Sequence, residues 1–564
     1  MLKISLFSSS EKLMPNAQPK TLIEDVSMLL NEVYSFQAAI KNIGGTPLRT
    51  RIRVLSDLPV EIFSVENVPG VYTARADHDD YILDESAQVF PDVLKKYGGE
   101  ELLASEYVQR TFFLTINGNK HCLKPGKYSV KFIVENTVSD EILGFSELKL
   151  EVLPVKLGEN DLKITRWLHY DCIAEKSGTV PFSDDFFAAA GNYIRSAAEH
   201  GHTMIYLPMF TPSLDTAVGG ERRTVQAIRI TMSAAGYTYD FSDFDRLVEI
   251  CLKAGIRYFE LSHLFTQWGA EHCPKIIVFD ENARPLKLYG WTASSEGEEY
   301  FEFLKNFLPV LCGHLKELGI FENTYLHLSD EPEQKHIQRY ARLCRFVKRY
   351  APDLKTVDAM ATFELAESGG VDVPVIELGG EGKFLGGEKE FWVYYACNTY
   401  KEHHSNIFLN MPLLRTRIIG IQLYLTEVKG FLHWGYNFYN SAYSLYPVDP
   451  FRETSAEGYY PAGDGFIVYP NGREVLSSLR QEAFFNGMQD YRALKALEKK
   501  IGREKTVALA NSYGIGNNFT DYSTDDNNFL KMREEINRLL GETETQSINA
   551  FGENDYDSVQ WVDV

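Results

Sequence analysis

Two periods of hydrophobicity divide the chain. Up to about residue 155, apolar and polar positions alternate in the short runs Leu2–Phe7, Val33–Ile40, Arg49–Val54, Val71–Arg75, Thr111–Ile116, Tyr128–Val134 and Leu148–Leu153. Turn formers such as Gly44-Gly45 and Pro125-Gly126 separate them. Period 2 predicts strands with one buried face, and many in succession predict a β-sandwich. Asp77–Gln109 breaks the pattern with acidic and aromatic residues. It reads as a long loop with a short helix over Ala104–Gln109, leaning over the neighbouring domain.

After Gly158-Glu159-Asn160 the period changes. Apolar runs of strand length now alternate with amphipathic helical runs, as in βα units around a parallel sheet. The predicted strands are Leu162–Leu168, Thr203–Leu207, Tyr258–Leu261, Thr324–Leu328, Thr356–Met360, Val373–Glu377, Phe391–Ala396 and Gly430–Trp434. The clearest helices between them are Asp184–His200, Phe241–Ala254, Glu299–Leu318, Gln334–Tyr350 and Met411–Glu427. This order predicts a (β/α)8 TIM barrel. Two insertions follow strands: a hairpin from Thr224–Ile230 and Tyr237–Phe241, and the stretch Ser262–Glu298. Leu476–Lys499, Arg503–Ser512 and Asn528–Leu540 read as helices packed beside the barrel. The expected organisation is a β-sandwich over 1–157, a catalytic barrel over 161–475, a helical segment over 476–541 and a mobile acidic tail over 542–564.

Composition narrows the partners. A formal charge of -21 argues against nucleic acid and anionic membranes. Aromatic residues make up 13% of the chain, which suits a partner with faces to stack on, such as carbohydrate. No run approaches a membrane span, and Met1–Lys20 holds no apolar core of signal-peptide length, so the chain reads as cytoplasmic. Seven scattered cysteines without metal-ligand spacing read as reduced, mostly structural thiols. No cofactor is expected, and the oligomeric state is not legible.

The strongest chemical signal is Thr324-Tyr325-Leu326-His327-Leu328-Ser329-Asp330-Glu331-Pro332. An apolar strand ends in two adjacent carboxylates, and Pro332 then withholds a ladder donor. Barrel enzymes place functional side chains at the C-terminal ends of strands, which makes Asp330 and Glu331 the candidate catalytic pair. The structural alternative is that Ser329 or Asp330 caps the following helix. The other strand ends present Trp167-Leu168-His169-Tyr170-Asp171, Gln267-Trp268-Gly269, Tyr394-Tyr395-Ala396-Cys397-Asn398 and His433-Trp434-Gly435-Tyr436-Asn437. Rings for C–H faces and polar tips for hydroxyls suggest a sugar pocket. Any one of these aromatics could equally be core. A metal site built from His263, His272, His169 and His433 has no compact ligand motif, so no metal is expected.

A retaining glycosidase with its own nucleophile needs two carboxyls about 5–5.5 Å apart, an inverting one about 6.5–9.5 Å. The seventh strand ends without an acid. Neighbouring acids on one strand end suit the substrate-assisted variant, in which the sugar's 2-acetamido oxygen attacks C1. Asp330 would orient that acetamide, and Glu331, with a raised pKa, would be acid and then base. Glu377 or Glu427 remains open as a conventional nucleophile.

With the residues above, Thr211-Pro212-Ser213-Leu214-Asp215-Thr216, Arg480-Gln481-Glu482 and Gly487-Met488-Gln489-Asp490-Tyr491 complete a pattern that resembles glycoside hydrolase family 123 over most of residues 1–500. The resemblance implies a β-sandwich before a catalytic TIM barrel and a β-N-acetylgalactosaminidase activity. It implies Asp330 for the acetamide and Glu331 as acid/base. It nominates Tyr394, Trp434 and Asn437 for the pocket, to which the strand-end reading adds His169, Gln267 and Trp268. The implied partner is a β-linked N-acetylhexosamine glycan or glycoconjugate. A β-N-acetylglucosaminidase, another β-glycosidase and a non-catalytic glycan-binding protein are the alternatives.

Overall fold

The computed structural model describes residues 2–72, 75–360 and 363–542. Its N-terminal part is two five-stranded sheets that share one core. One runs Leu2–Ser8, Tyr34–Asn42, Gln109–Ile116, Val60–Gly70, Gln88–Lys96; the other runs Asp25–Leu29, Ile142–Leu153, Gly126–Asn136, Leu48–Ser56, Leu102–Ala104. Inward rings such as Phe112 and Phe132 meet between them, with centroids 5.8 Å apart.

Two expectations here are corrected. No helix forms at Ala104–Gln109: Leu102–Ala104 pairs with Leu48–Thr50, Gln109 opens a strand, and Tyr107 turns the chain with φ 60°. Val71 and Tyr72 of the strand expected at Val71–Arg75 instead follow the strand Val60–Gly70, and residues 73–74 of it lie outside the described residues. The partner of Val60–Gly70, Gln88–Lys96, was hidden by Pro91. That strand is the sheet's edge, and the register shifts at Glu66/Asn67, where Pro91 pairs with Asn67. At a bulge on an edge strand a missing N–H is tolerated.

The central sheet holds eight parallel strands: Lys163–Arg166, Met204–Leu207, Tyr258–Leu261, Thr324–His327, Lys355–Met360, Val373–Glu377, Trp392–Tyr394 and Gly430–His433. From the second to the eighth each pairs with its neighbours in sequence, and the eighth returns to pair with the first. Between the first and second the sheet is nearly closed by two contacts. Thr203 N–H donates to Ile164 O at 3.2 Å, and Ile164 N–H to Thr203 Oγ1 at 3.0 Å. Helices follow most strands, but the sixth is followed only by the 3-10 turn Glu381–Lys383. Residues of both inserted stretches, Arg229–Ser233 with Gly236–Asp240 and Ile276–Phe279 with Pro285–Tyr289, join into a four-stranded sheet.

The helix Leu479–Ile501 joins the parts. Its flank meets Ile419–Thr426 so closely that a Cβ on Gly420 would overlap the Gly487 carbonyl. On its other side Gln489 exchanges two bonds with the Val33 backbone, at 2.8 and 3.0 Å. Near its start Arg480, fully buried, grips Asp92 of the N-terminal sheet at 2.9–3.0 Å. The last described helix is Asp526–Gly541, and the expected acidic tail beyond Glu542 lies outside the described residues. Among the described residues no helix is long and apolar enough to cross a membrane.

Candidate active site

Strand Thr324–His327 ends at a turn held from three sides. Ser329 N–H donates to Asp358 Oδ2 at 3.0 Å, Ser329 Oγ donates to Thr266 O at 2.9 Å, and Trp268 N–H donates to Asp330 O at 2.7 Å. Glu331 sits in the left-handed region with φ 45°, a strained conformation for a residue with a Cβ, and it precedes Pro332. The capping alternative fails. The following helical run begins at Gln334, and its cap is Glu333, which forms a reciprocal capping box with His336. Asp330 and Glu331 are thus free of that duty.

Both line a cavity of about 350 Å³, within the range of small-ligand pockets. The walls are Trp167, Trp434, Tyr394, Tyr459 and Tyr460, with Trp268 on the rim at 41% exposure. Tyr394, from the seventh strand, donates its hydroxyl to Glu331 Oε1 at 2.6 Å. Trp434 is fixed at its indole N–H by Asp464 Oδ2 (3.1 Å) and packs on Tyr460 with centroids 4.9 Å apart. A third carboxylate, Asp215, also lines the cavity; Tyr460 hydroxyl donates to its Oδ1, while its buried Oδ2 has no partner.

Behind Asp330 lies a buried charged cluster. Its members are Glu260 from the third strand, His327 from the fourth and Asp358 from the fifth, all fully buried. His327 Nδ1 bonds Glu260 Oε1 at 2.7 Å and Nε2 bonds Asp358 Oδ1 at 3.1 Å. Burial alone would lower the imidazolium, but the hydrogen bonds and charges of Asp358 and Glu260 push it up to about 10. His327 is therefore a cation. An Asp330 oxygen lies within 4.8 Å of ring nitrogens of His327 and His263, the spacing of a possible metal site. The donor set does not fit one, because both His327 nitrogens donate to carboxylates and leave no lone pair for an ion.

Burial, and then the charge of Glu331, raises the Asp330 carboxyl well above the usual range, against the pull of His327. Burial also raises Glu331, partly offset by the Tyr394 hydroxyl. Two such carboxyls side by side titrate as a pair and hold a proton near neutral pH. Burial pushes Asp215 up to about 6. Burial and the Glu331 charge push Glu377 up to about 7.

Residues 167–497 match the model of the glycoside hydrolase 123 catalytic domain. This chain belongs to glycoside hydrolase family 123. It is a glycosidase. The fold agrees with a solved family 123 glycoside hydrolase from Clostridium perfringens, described for glycolipid glycan hydrolysis, at TM-score 0.70 and 16% identity over 98% of both chains. A β-galacturonidase of glycoside hydrolase family 2 from Eisenbergiella tayi gives only TM-score 0.32 at 9% identity over 82% of this chain and 72% of its own. A Bacteroides uniformis β-glucuronidase gives 0.28 at 11% identity over 78% and 46%. No curated protein matches the sequence.

In this family 123 glycosidase the cavity gathers six of the eight expected residues: Asp330, Glu331, Tyr394, Trp434, Gln267 and Trp268. His169 and Asn437 do not line it. His169 is buried behind Trp434, its Nε2 on Trp434 O at 2.9 Å and its Nδ1 facing Arg222 at 3.0 Å. Asn437 is fully buried and clamps the His169 backbone with bonds of 2.9 and 3.1 Å. Both tie the first strand's exit to the eighth's. Glu427 ends helix Ile419–Thr426 as its left-handed cap and faces Arg503 at 3.5 Å, away from the cavity. Glu377 ends the sixth strand, accepts from Thr399 Oγ1 at 3.0 Å and is not among the lining residues. The sequence reading missed Asp215, Tyr459, Tyr460 and Arg75 as site residues. An acid in the loop after the second strand was the available signal for Asp215.

Proposed function

We propose that this enzyme, a β-sandwich followed by a (β/α)8 TIM barrel, releases terminal β-linked N-acetylgalactosamine with retention, by substrate assistance. The observation that carries the proposal is the adjacent pair Asp330 and Glu331 in an aromatic cavity, with the seventh strand supplying Tyr394 to Glu331 and no carboxylate of its own. The acetamide oxygen attacks C1, the bond from C1 to the leaving oxygen breaks, and Glu331 gives that oxygen its proton. Asp330 and Glu331 share one proton; with that proton on Glu331, Asp330, within 4.8 Å of the His327 ring, orients the acetamide N–H as a carboxylate and stabilises the charge of the cyclised intermediate. Glu331 then takes a proton from water as the water oxygen attacks C1, which restores the acetamide and the acid. The Clostridium perfringens relative is described for glycolipid glycans, and a glycolipid glycan is the conjugate we propose for this chain.

Chromogenic β-GalNAc, β-GlcNAc and β-Gal substrates test the reading. Turnover of β-GalNAc, strong inhibition by a thiazoline mimic of the intermediate and near-inertness of β-Gal are expected. Comparable turnover of β-Gal, or covalent labelling of Glu377 by a 2-fluoro sugar, would replace substrate assistance with a protein nucleophile.

A further inference from the structure

The cavity wall contains one residue from outside the parallel sheet and its loops. Arg75 follows the strand Val60–Gly70 of the N-terminal part, and it is the one cation among the described lining residues. Among the described residues its guanidinium makes no hydrogen bond, and its Nε is shielded from solvent without a partner. The guanidinium lies over the Tyr400 ring, 5.4 Å from the centroid. That contact uses its face and leaves its N–H edge free. The nearest acid in sequence, Asp77, is already engaged with the Tyr400 hydroxyl at 2.9 Å and with Lys401.

The segment that carries Arg75 is anchored to the barrel. Asp79 makes a two-pronged pair with buried Arg415 at 2.7 and 2.8 Å, and Leu83 N–H donates to Asn410 O at 2.7 Å. Among the described residues Arg75 forms no hydrogen bond or ion pair with Asp330, Glu331 or Asp215, and its charge is felt instead at Cys397 and Asp464. It therefore addresses a part of the substrate away from the reacting bond.

We propose that Arg75 reads an oxyanion on the substrate, a sulfate ester on the sugar or a carboxylate on its neighbour, so that the preferred glycans are acidic. An unpaired guanidinium edge matches the paired oxygens of either group. In a chain of net charge -21 such an anion has no general attraction to the protein, so recognition rests on this contact. The inference builds on the proposed hexosaminidase reading, and binding separates the two.

The experiment uses full-length Glu331→Gln protein and calorimetry with N-acetylgalactosamine, its 4- and 6-sulfates, and a β-GalNAc-glucuronate disaccharide. At least one acidic ligand should bind about 10–100-fold tighter than the neutral sugar, as for one charge-assisted contact. In the additional Arg75→Gln variant that ratio should fall to about one, Arg75→Lys should keep part of it, and rising salt should erode it. Preference for the sulfates or for the uronate identifies the source of the anion. Equal binding of acidic and neutral ligands, or a preference that survives Arg75→Gln, overturns the proposal. Turnover of neutral β-GalNAc by wild type judges the hexosaminidase reading separately.

Discussion

Two regions of this molecule bury charges and treat them in opposite ways. At the joint between the N-terminal sheets and the eight-stranded domain, acids meet cations. Asp92 faces Arg480, and Asp490 bridges Arg417 at 2.7 Å and Arg533 at 3.1 Å, with Arg533 reaching on to Glu32 at 2.6 Å. The larger cavity there, about 730 Å³, is lined by Glu32, Arg417 and Arg533, which belong to this network. In the smaller cavity Asp330, Glu331 and Asp215 have no cation within bonding distance among the described residues, and all three carboxyls are raised by burial. A paired buried charge fixes geometry. An unpaired one stores a proton or an interaction for a ligand.

Removing a cavity acid should cost chemistry rather than folding. Glu331→Gln is expected to lower hydrolysis of substrates with basic leaving groups by about 10²–10⁴-fold while sparing activated phenols in the first step. A leaving-group series measures this, and equal loss across the series would count against Glu331 as the acid.

At the joint the cost should appear in stability. Arg480→Met leaves Asp92 buried and uncompensated, which typically costs about 3–5 kcal/mol. Adding Asp92→Leu should recover part of it. Chemical denaturation checks both, and a single variant within about 1 kcal/mol of wild type would deny the pair its structural role.

Next in size, Asp330→Asn is expected to lower kcat about 10²–10³-fold on β-GalNAc substrates with KM little changed. A loss confined to KM would show that Asp330 only binds.

The smallest effect concerns pH. Asp215 is raised in the folded state to about 6, so the fold holds its proton after the unfolded chain has released it. Its contribution is complete below the ordinary carboxylate value and is lost as pH rises through about 6. Asp215→Asn removes that decline. Its stability relative to wild type should therefore rise between pH 4 and pH 8, by at most about 3 kcal/mol. A difference flat with pH would mean that Asp215 is ionised at no cost.

The eight strands of the parallel sheet were legible because each is an apolar run bounded by polar loops, and parallel strands buried on both faces keep that signature. The short helix at Ala104–Gln109 was misread because strand pairing with Leu48–Thr50 overrode local preference. Within the site, Asp330 and Glu331 stood out because two acids ending an apolar strand have few structural uses. His169 and Asn437 looked equally functional, but their polar atoms hold the backbone between the first and eighth strands. A polar side chain at a strand end reads the same in sequence whether it faces a ligand or a carbonyl.

By itself the sequence determined the order of strands and helices, the place of the carboxylate pair and the family, because periodicity and adjacent motifs are local properties of the chain. Tertiary structure alone decided which loops meet. Asp79 on Arg415 brings Arg75 into a cavity built on the far side of the molecule's sequence, and Tyr460 turns Asp215 toward the same space. It also decided that His327 is a cation, since only folding sets Glu260 and Asp358 on its two nitrogens. The reason is physical: hydrophobic pattern fixes each element through its neighbours in sequence, whereas charge state and cavity walls depend on groups that become neighbours only when the chain has closed.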